Sequence, residues 1–170
     1  MGTIILISGE ELSKQSILGG NIDKDRLYPA VKSFQQTKLK PLLGKTLYDK
    51  ICEDYLNDTL AGDYLEAYED YIKDMVVYGS TAIYIGSGGA YQISNIGIVK
   101  ASTDNSETLN KNDVDYLYQF NLQLYENLKK EFMAWLETKN LPEYTNTCDA
   151  TKNNKLLGGW YLTKRKRCDE

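Results

Sequence analysis

The sequence predicts an all-α fold, a bundle of about four to five helices, with an extended loop or short hairpin at about residues 90–100 and an extended C-terminal arm. Three observations carry this expectation. Apolar side chains recur at steps of three and four through most of the chain up to Lys139, the pattern of helices that bury one stripe. Gly and Pro stand at the joints between those stretches. Only Tyr91–Val99 alternates loosely, with Asn95 and Gly97 as turn formers, and reads as an excursion or hairpin.

Taken in order, Ser8 and Glu11 form an S-x-x-E capping signature and Gly19-Gly20 a stop, which predicts a short helix from about Glu10 to Leu18. A second helix is expected from an Asp23 N-cap, with Leu27, Val31 and Phe34 on one face. Pro29 should delay its start or kink it, and Pro41 should end it near Lys40. After Gly44 the apolar residues Leu47, Tyr48, Ile51, Cys52, Tyr55 and Leu56 oppose Asp49, Lys50, Glu53 and Asp54, a clear amphipathic helix. The next helix has the strongest period. Tyr64, Tyr68, Tyr71, Met75, Tyr78, Ala82 and Ile85 make one stripe, and Leu65, Ile72, Val76 and Ile83 a second. Two stripes imply two neighbours, so this helix is expected at the centre of the core, with Gly79-Ser80 permitting close backbone approach. Gly86 to Gly89 stops it, and the polar Ser102–Asn112 reads as a loop.

A last helix is expected from about Asp113 to Lys139, closed by Pro142. One stripe holds Val114, Leu117, Leu124, Leu128 and Trp135, and another Tyr118, Leu122, Tyr125, Phe132 and Leu136. Beyond it lies a polar stretch, then Leu156, Leu157, Trp160, Tyr161 and Leu162, then the basic run Lys164, Arg165, Lys166 and Arg167. A segment this short cannot build a core of its own. It reads as an arm that docks, and the chain divides into a helical domain at 1–145 and an arm at 146–170.

Composition narrows the function. With 170 residues, 42% of them hydrophobic, one domain with a substantial core is expected. The net charge of -4 argues against wholesale coating of nucleic acid, which rests on cations neutralising phosphates. No histidine is present, which removes the commonest general base and metal ligand and every triad that depends on one. The apolar run Ile4–Ile7 is too short for a signal peptide, and no stretch approaches a membrane span. Three cysteines, Cys52, Cys148 and Cys168, suit a reducing cytoplasm. Cys52 lies on an apolar helix face, where a small buried hydrophobe is expected instead of a reactive thiol. The 14 tyrosines point toward interfaces, because a tyrosine offers wide contact at small entropic cost.

The motifs that suggest chemistry have plainer readings. Gly44-Lys45-Thr46 matches the end of a phosphate-binding loop, but Leu39 stands where the upstream glycine belongs, Pro41 interrupts, and a helix precedes it. A helix stop followed by a helix start is the simpler account. Gly86-Ser87-Gly88-Gly89 lacks a dinucleotide fingerprint and reads as a hinge. Asp63, Glu66, Asp70 and Asp74 share a helix face, where they would hold a hard cation, serve acid–base chemistry, face a channel or an adjoining subunit, or simply be solvated, and solvation is the default. No cofactor, metal or catalytic residue is assigned. Partner contacts are expected from Tyr91, Ile93, Ile96 and Ile98 in the excursion, and from the apolar and basic residues of the arm.

Certain segments follow one another in an order that resembles a known family. These are Tyr28 to Phe34 leading into Leu39-Lys40-Pro41-Leu42-Leu43-Gly44-Lys45-Thr46-Leu47-Tyr48, a Tyr-rich helix, Ser94-Asn95-Ile96-Gly97-Ile98, a long helix to Asn140-Leu141-Pro142-Glu143-Tyr144, and Gly158-Gly159-Trp160-Tyr161-Leu162. Nearly the whole chain is covered. The sequence thereby resembles the head-tail connector or ring proteins of tailed bacteriophages, especially those of crAss-like phages. The resemblance implies a non-enzymatic virion protein, made in the host cytoplasm and located at the head-tail junction. It would form a ring, commonly of twelve copies, that binds the portal protein and further tail or ring proteins. DNA would pass its channel without sequence-specific binding, and no membrane would be involved. The alternative is a small helical DNA-binding or regulatory module that uses Lys164 to Arg167.

Overall fold

The computed structural model describes residues 3–18, 24–87, 91–94, 97–100, 111–139 and 141–144. An extended segment at 3–8 enters α1 (Gly9–Gln15), whose N-cap Ser8 accepts a hydrogen bond from the Glu11 amide. The helix stops at Gln15, short of the expected Leu18, as Ser16 turns extended. A 3-10 turn, Lys24–Arg26, leads into α2 (Tyr28–Phe34) with Pro29 in its first turn, where a missing amide costs nothing. Asp23, the expected N-cap, lies outside the described residues.

The helix does not end at Lys40. It continues through a π-helical turn, Gln35–Leu39, into α3 (Lys40–Leu43) and stops at Gly44, whose φ of 75° favours glycine. Proline inside a helix removes one hydrogen bond and crowds the preceding turn. The wider turn immediately before Pro41 loosens that crowding, so the backbone passes the proline. From Gly44 the chain starts α4 (Lys45–Leu56). A second composite helix follows: α5 (Asp63–Ala67), a π-helical turn Tyr68–Ile72, and α6 (Lys73–Gly86), which ends at the first of the expected glycines. Strands β1 (Tyr91–Ser94) and β2 (Gly97–Lys100) pair antiparallel as a hairpin, with Tyr91 opposite Lys100 and Ile93 opposite Ile98. The long α7 (Lys111–Thr138) starts two residues before its expected Asp113, inside the stretch that read as a loop. The bundle expected from the sequence is thus the fold. The arm at 146–170 lies outside the described residues.

The α5–α6 helix is the centre of the core, packed between α2 and α7. Its approach to α2 is close because Gly79 has no side chain: a Cβ there would stand 2.0 Å from the Phe34 ring. That ring meets Tyr125 of α7 edge-on at 5.2 Å, which ties three helices together. Helices α6 and α7 run antiparallel. Gly86 faces Tyr118, Tyr71 faces Phe132 and Trp135, and Asp63 and Glu66 reach Lys139.

The N-terminal residues Leu6 and Ile7 belong to this core, fully buried. They are fixed by side chains from the two π turns. Gln35 opens the first turn and spans the segment, receiving the Leu6 amide at 3.1 Å and donating to the Ile4 carbonyl at 3.0 Å. Tyr68 opens the second and donates to the Leu6 carbonyl at 2.7 Å. A π turn carries one residue more than an α turn and so re-aims a side chain that a regular helix would direct elsewhere.

Candidate partner interface

Several of the groups that suggested chemistry are held in ion pairs within the fold. Lys45 of the Gly-Lys-Thr triplet pairs with Asp49 one turn along α4, so the triplet is a corner between helices. Asp63 and Glu66 both hold Lys139, at 2.7 and 2.9 Å, and Glu66 also accepts from the Trp135 indole at 2.7 Å. These two donors keep the Glu66 carboxyl below its ordinary pKa, Lys139 contributing most. Asp70 is exposed, and burial raises the Asp74 carboxyl. Among the described residues no group of three potential ligands gathers to hold a metal ion.

Beside the N-terminal segment lies a cleft of about 800 Å³. Its walls include Ile4, Lys40, Tyr48, Cys52 and the tip of α4. Burial above all pushes the Tyr48 phenol up to about 12 and raises the Cys52 thiol. Tyr48 accepts a hydrogen bond from Gln35 at 3.0 Å, and the Lys40 ammonium lies 5.4 Å from its ring centre. Cys52 is buried, as expected of a small core hydrophobe. Leu56, which shares the apolar spacing of α4, stays 67% exposed at the edge of this cleft, while Asp54 is buried against Lys50 and Thr59.

A second exposed apolar surface is on α7. The helix overshoots its partner: Tyr118 lies against Gly86 at the end of α6, and residues 111–117 extend roughly 10 Å further. None of residues 112–120 is buried, whereas Asn121, Tyr125, Phe132, Trp135 and Leu136 are. On that overshoot Tyr116 and Phe120, 68% and 43% exposed, stack on each other at 6.3 Å. The sequence reading missed this pair because it lies outside both α7 stripes. The available signal was an aromatic pair four residues apart, which places both rings on one side of a helix.

Of the expected contact residues, Tyr91, Ile93 and Ile98 lie in the hairpin strands, at the same end of the fold as the overshoot, since α6 leads into the hairpin and α7 follows it. Ile96 falls outside the described residues, as do Leu156, Leu157, Trp160, Tyr161, Leu162, Lys164, Arg165, Lys166 and Arg167. Leu65, expected in a core stripe, is exposed.

These features define an all-α protein whose distinctive surfaces are aromatic and apolar. Among the described residues no helix is long and apolar enough to cross a membrane. Residues 39–154 match the Family of unknown function (DUF6712), more than half of the chain, and the chain belongs to that family. No curated protein and no solved structure matches it.

Proposed function

We propose that this chain is a structural virion protein that assembles into a ring, joins the capsid portal to the tail and leaves a channel for DNA. Its work is assembly and not catalysis. The observation that carries the reading is the overshoot of α7, with Tyr116 and Phe120 stacked on each other and exposed. Exposed aromatics clustered at one end mark a surface meant for covering, and aromatic anchors supply much of the energy of protein interfaces. A closed ring repeats one heterologous contact, so each subunit needs two different adhesive surfaces. The aromatic overshoot supplies one. The cleft at α4, with Leu56 bare, supplies a second that shares no residue with the first. The order of motifs resembling phage ring proteins supports the same reading.

Electron microscopy of the purified chain, alone and with the portal protein, tests it. Rings of fixed symmetry, twelve-fold by the resemblance, are expected in at least one of the two. Particles that stay monomeric under both conditions would overturn it.

A further inference from the structure

We infer that the aromatic pair exposed on α7, Tyr116 and Phe120, seats on the basic outer face of the α2–α3 helix of a second copy of this chain. The inference rests on the overshoot that carries the ring reading and deepens that reading, because it names the surface of the next subunit that the overshoot meets. The first ground is a segregation of charge. From Lys24 to Thr46 stand Lys24, Arg26, Lys32, Lys38, Lys40 and Lys45 against the single carboxylate Asp25, in a chain whose net charge is -4. Arg26, Lys32 and Lys38 are exposed, and among the described residues they have neither an acidic nor an aromatic partner. A face of cations repels its own image, so it does not pair with itself across a two-fold axis and needs a different surface opposite.

The second ground is the way this chain already satisfies its cations. Among the described residues four lysines lie over aromatic rings: Lys40 over Tyr48, Lys50 over Tyr64, Lys129 over Tyr125 and Lys139 over Trp135, between 5.1 and 5.8 Å from the ring centres. Such a pair draws on the negative face of the ring and strengthens as water is excluded. The stacked rings of Tyr116 and Phe120 have no cation over them among the described residues, and the only charged groups on residues 112–120 are the carboxylates Asp113 and Asp115. Apart from Lys111 at its start, the overshoot offers rings and carboxylates without cations. The α2–α3 face offers the converse.

Shape is the third ground. Tyr28, Lys32 and Gln36 stand four apart and share the exposed side of that helix, and Tyr28 is itself 47% exposed. A ring among cations gives this face an aromatic anchor with a polar rim, the anatomy of an ordinary interface. From Tyr28 to Leu43 the helix runs roughly 24 Å, against roughly 13 Å of α7 from Asn112 to Phe120, so it can take the whole overshoot. Gln36 also lines the cleft beside α4, so an overshoot seated here abuts the second adhesive surface.

Two variants of the full chain test the contact: Lys32→Glu with Lys38→Glu, and Tyr116→Ser with Phe120→Ser, all at exposed positions. Circular dichroism establishes that each folds as the parent does, and sedimentation velocity reads self-association. The wild-type chain is expected to associate, less so as salt rises from about 0.05 to about 0.5 M, and each variant alone to associate at least roughly tenfold more weakly. Mixed in equal amounts, the two variants should form a one-to-one dimer and stop there, because the first keeps a working overshoot and the second a working basic face. A wild-type chain that is monomeric at every concentration overturns the inference, as does a mixture that stays monomeric. Undiminished self-association of the lysine variant also overturns it. If that variant at the same time loses retention on duplex DNA, the basic face serves nucleic acid instead. A mixed dimer without rings in electron micrographs of the wild type would remove the ring reading and leave this contact. Rings built by the lysine variant would do the reverse.

Discussion

Replacing Gly79 with alanine pits a local preference against a tertiary contact. Alanine is the better helix former by about 1 kcal/mol, and α6 is a regular helix at this position, so local energetics predict stabilisation. The new Cβ, however, would lie 2.0, 2.4 and 2.6 Å from three carbons of the Phe34 ring. Ordinary carbon contacts are about 3.5–4.0 Å, so the ring or α2 itself must retreat by roughly 1.5 Å. Phe34 is 1% exposed and also meets the Tyr125 ring edge-on, so the core around it is already filled. Overpacking of a dense core costs about 1–3 kcal/mol, more where relaxation is blocked, and about 2 kcal/mol net is expected against Gly79→Ala. For a domain of this size that lowers Tm by about 4–8 °C, measurable by far-UV circular dichroism. Adding Phe34→Leu should recover part of the loss, with a coupling of roughly 1 kcal/mol between the two sites. A Gly79→Ala chain as stable as the parent, or more stable, would refute the close approach of α2 and α6.

Gln35→Leu should cost about 3 kcal/mol in urea unfolding, because it strands the buried Leu6 amide and two further partners at about 1 kcal/mol or more each. The double change Tyr116→Ser and Phe120→Ser should leave Tm within about 2 °C of the parent, since both rings are exposed, yet abolish ring particles in electron micrographs. Thr81→Val should raise stability by up to about 1 kcal/mol, because the fully buried Thr81 hydroxyl has no hydrogen-bond partner among the described residues. Glu66 has a folded pKa below its unfolded one, so its contribution is present above the ordinary carboxylate range and is lost as pH falls through the lower folded value. Lys139→Met removes the larger cause of that depression, so Tm measured from pH 7 down to pH 2 should fall less steeply than in the parent.

Where periodicity and breakers act locally, the sequence was a sound guide. The centre of the core, the stop at Gly86, the hairpin and the last helix all follow from spacing that one element carries by itself. Periodicity reports which side chains share a helix face and is silent on whether a neighbour covers them. Leu56 and Leu65 keep the apolar spacing of their helices and remain in solvent, while Asp54 is buried. Pro41 ended the expected helix because the steric rule assumes an α turn before it, and the π turn changes that condition. Gln35 and the Ile4–Ile7 segment were illegible for a related reason. A buried amide becomes informative only once a segment about thirty residues away is placed against it. Tyr116 and Phe120 escaped notice because an aromatic pair outside the core stripes has no local consequence.

The two halves of α7 face different tasks, and the difference bears on where assembly acts. From Asn121 onward the helix supplies Tyr125, Phe132, Trp135 and Leu136 to the core, each worth about 1.5–3 kcal/mol when buried, so changes there unfold the chain before they can report on binding. None of residues 112–120 is fully buried; Val114, Leu117 and Tyr118 are half-buried, and the rest of the stretch is exposed. Tyr116 and Phe120 leave much of their ring surface in water there, so a polypeptide that covered them would gain apolar burial that the monomer lacks. The cleft at α4 differs, because its floor residues Tyr48 and Cys52 also belong to the core. If the chain assembles as proposed, substitutions at Tyr116 and Phe120 should separate assembly from folding, whereas at the cleft only the rim residues Asp49, Glu53 and Leu56 should allow that separation.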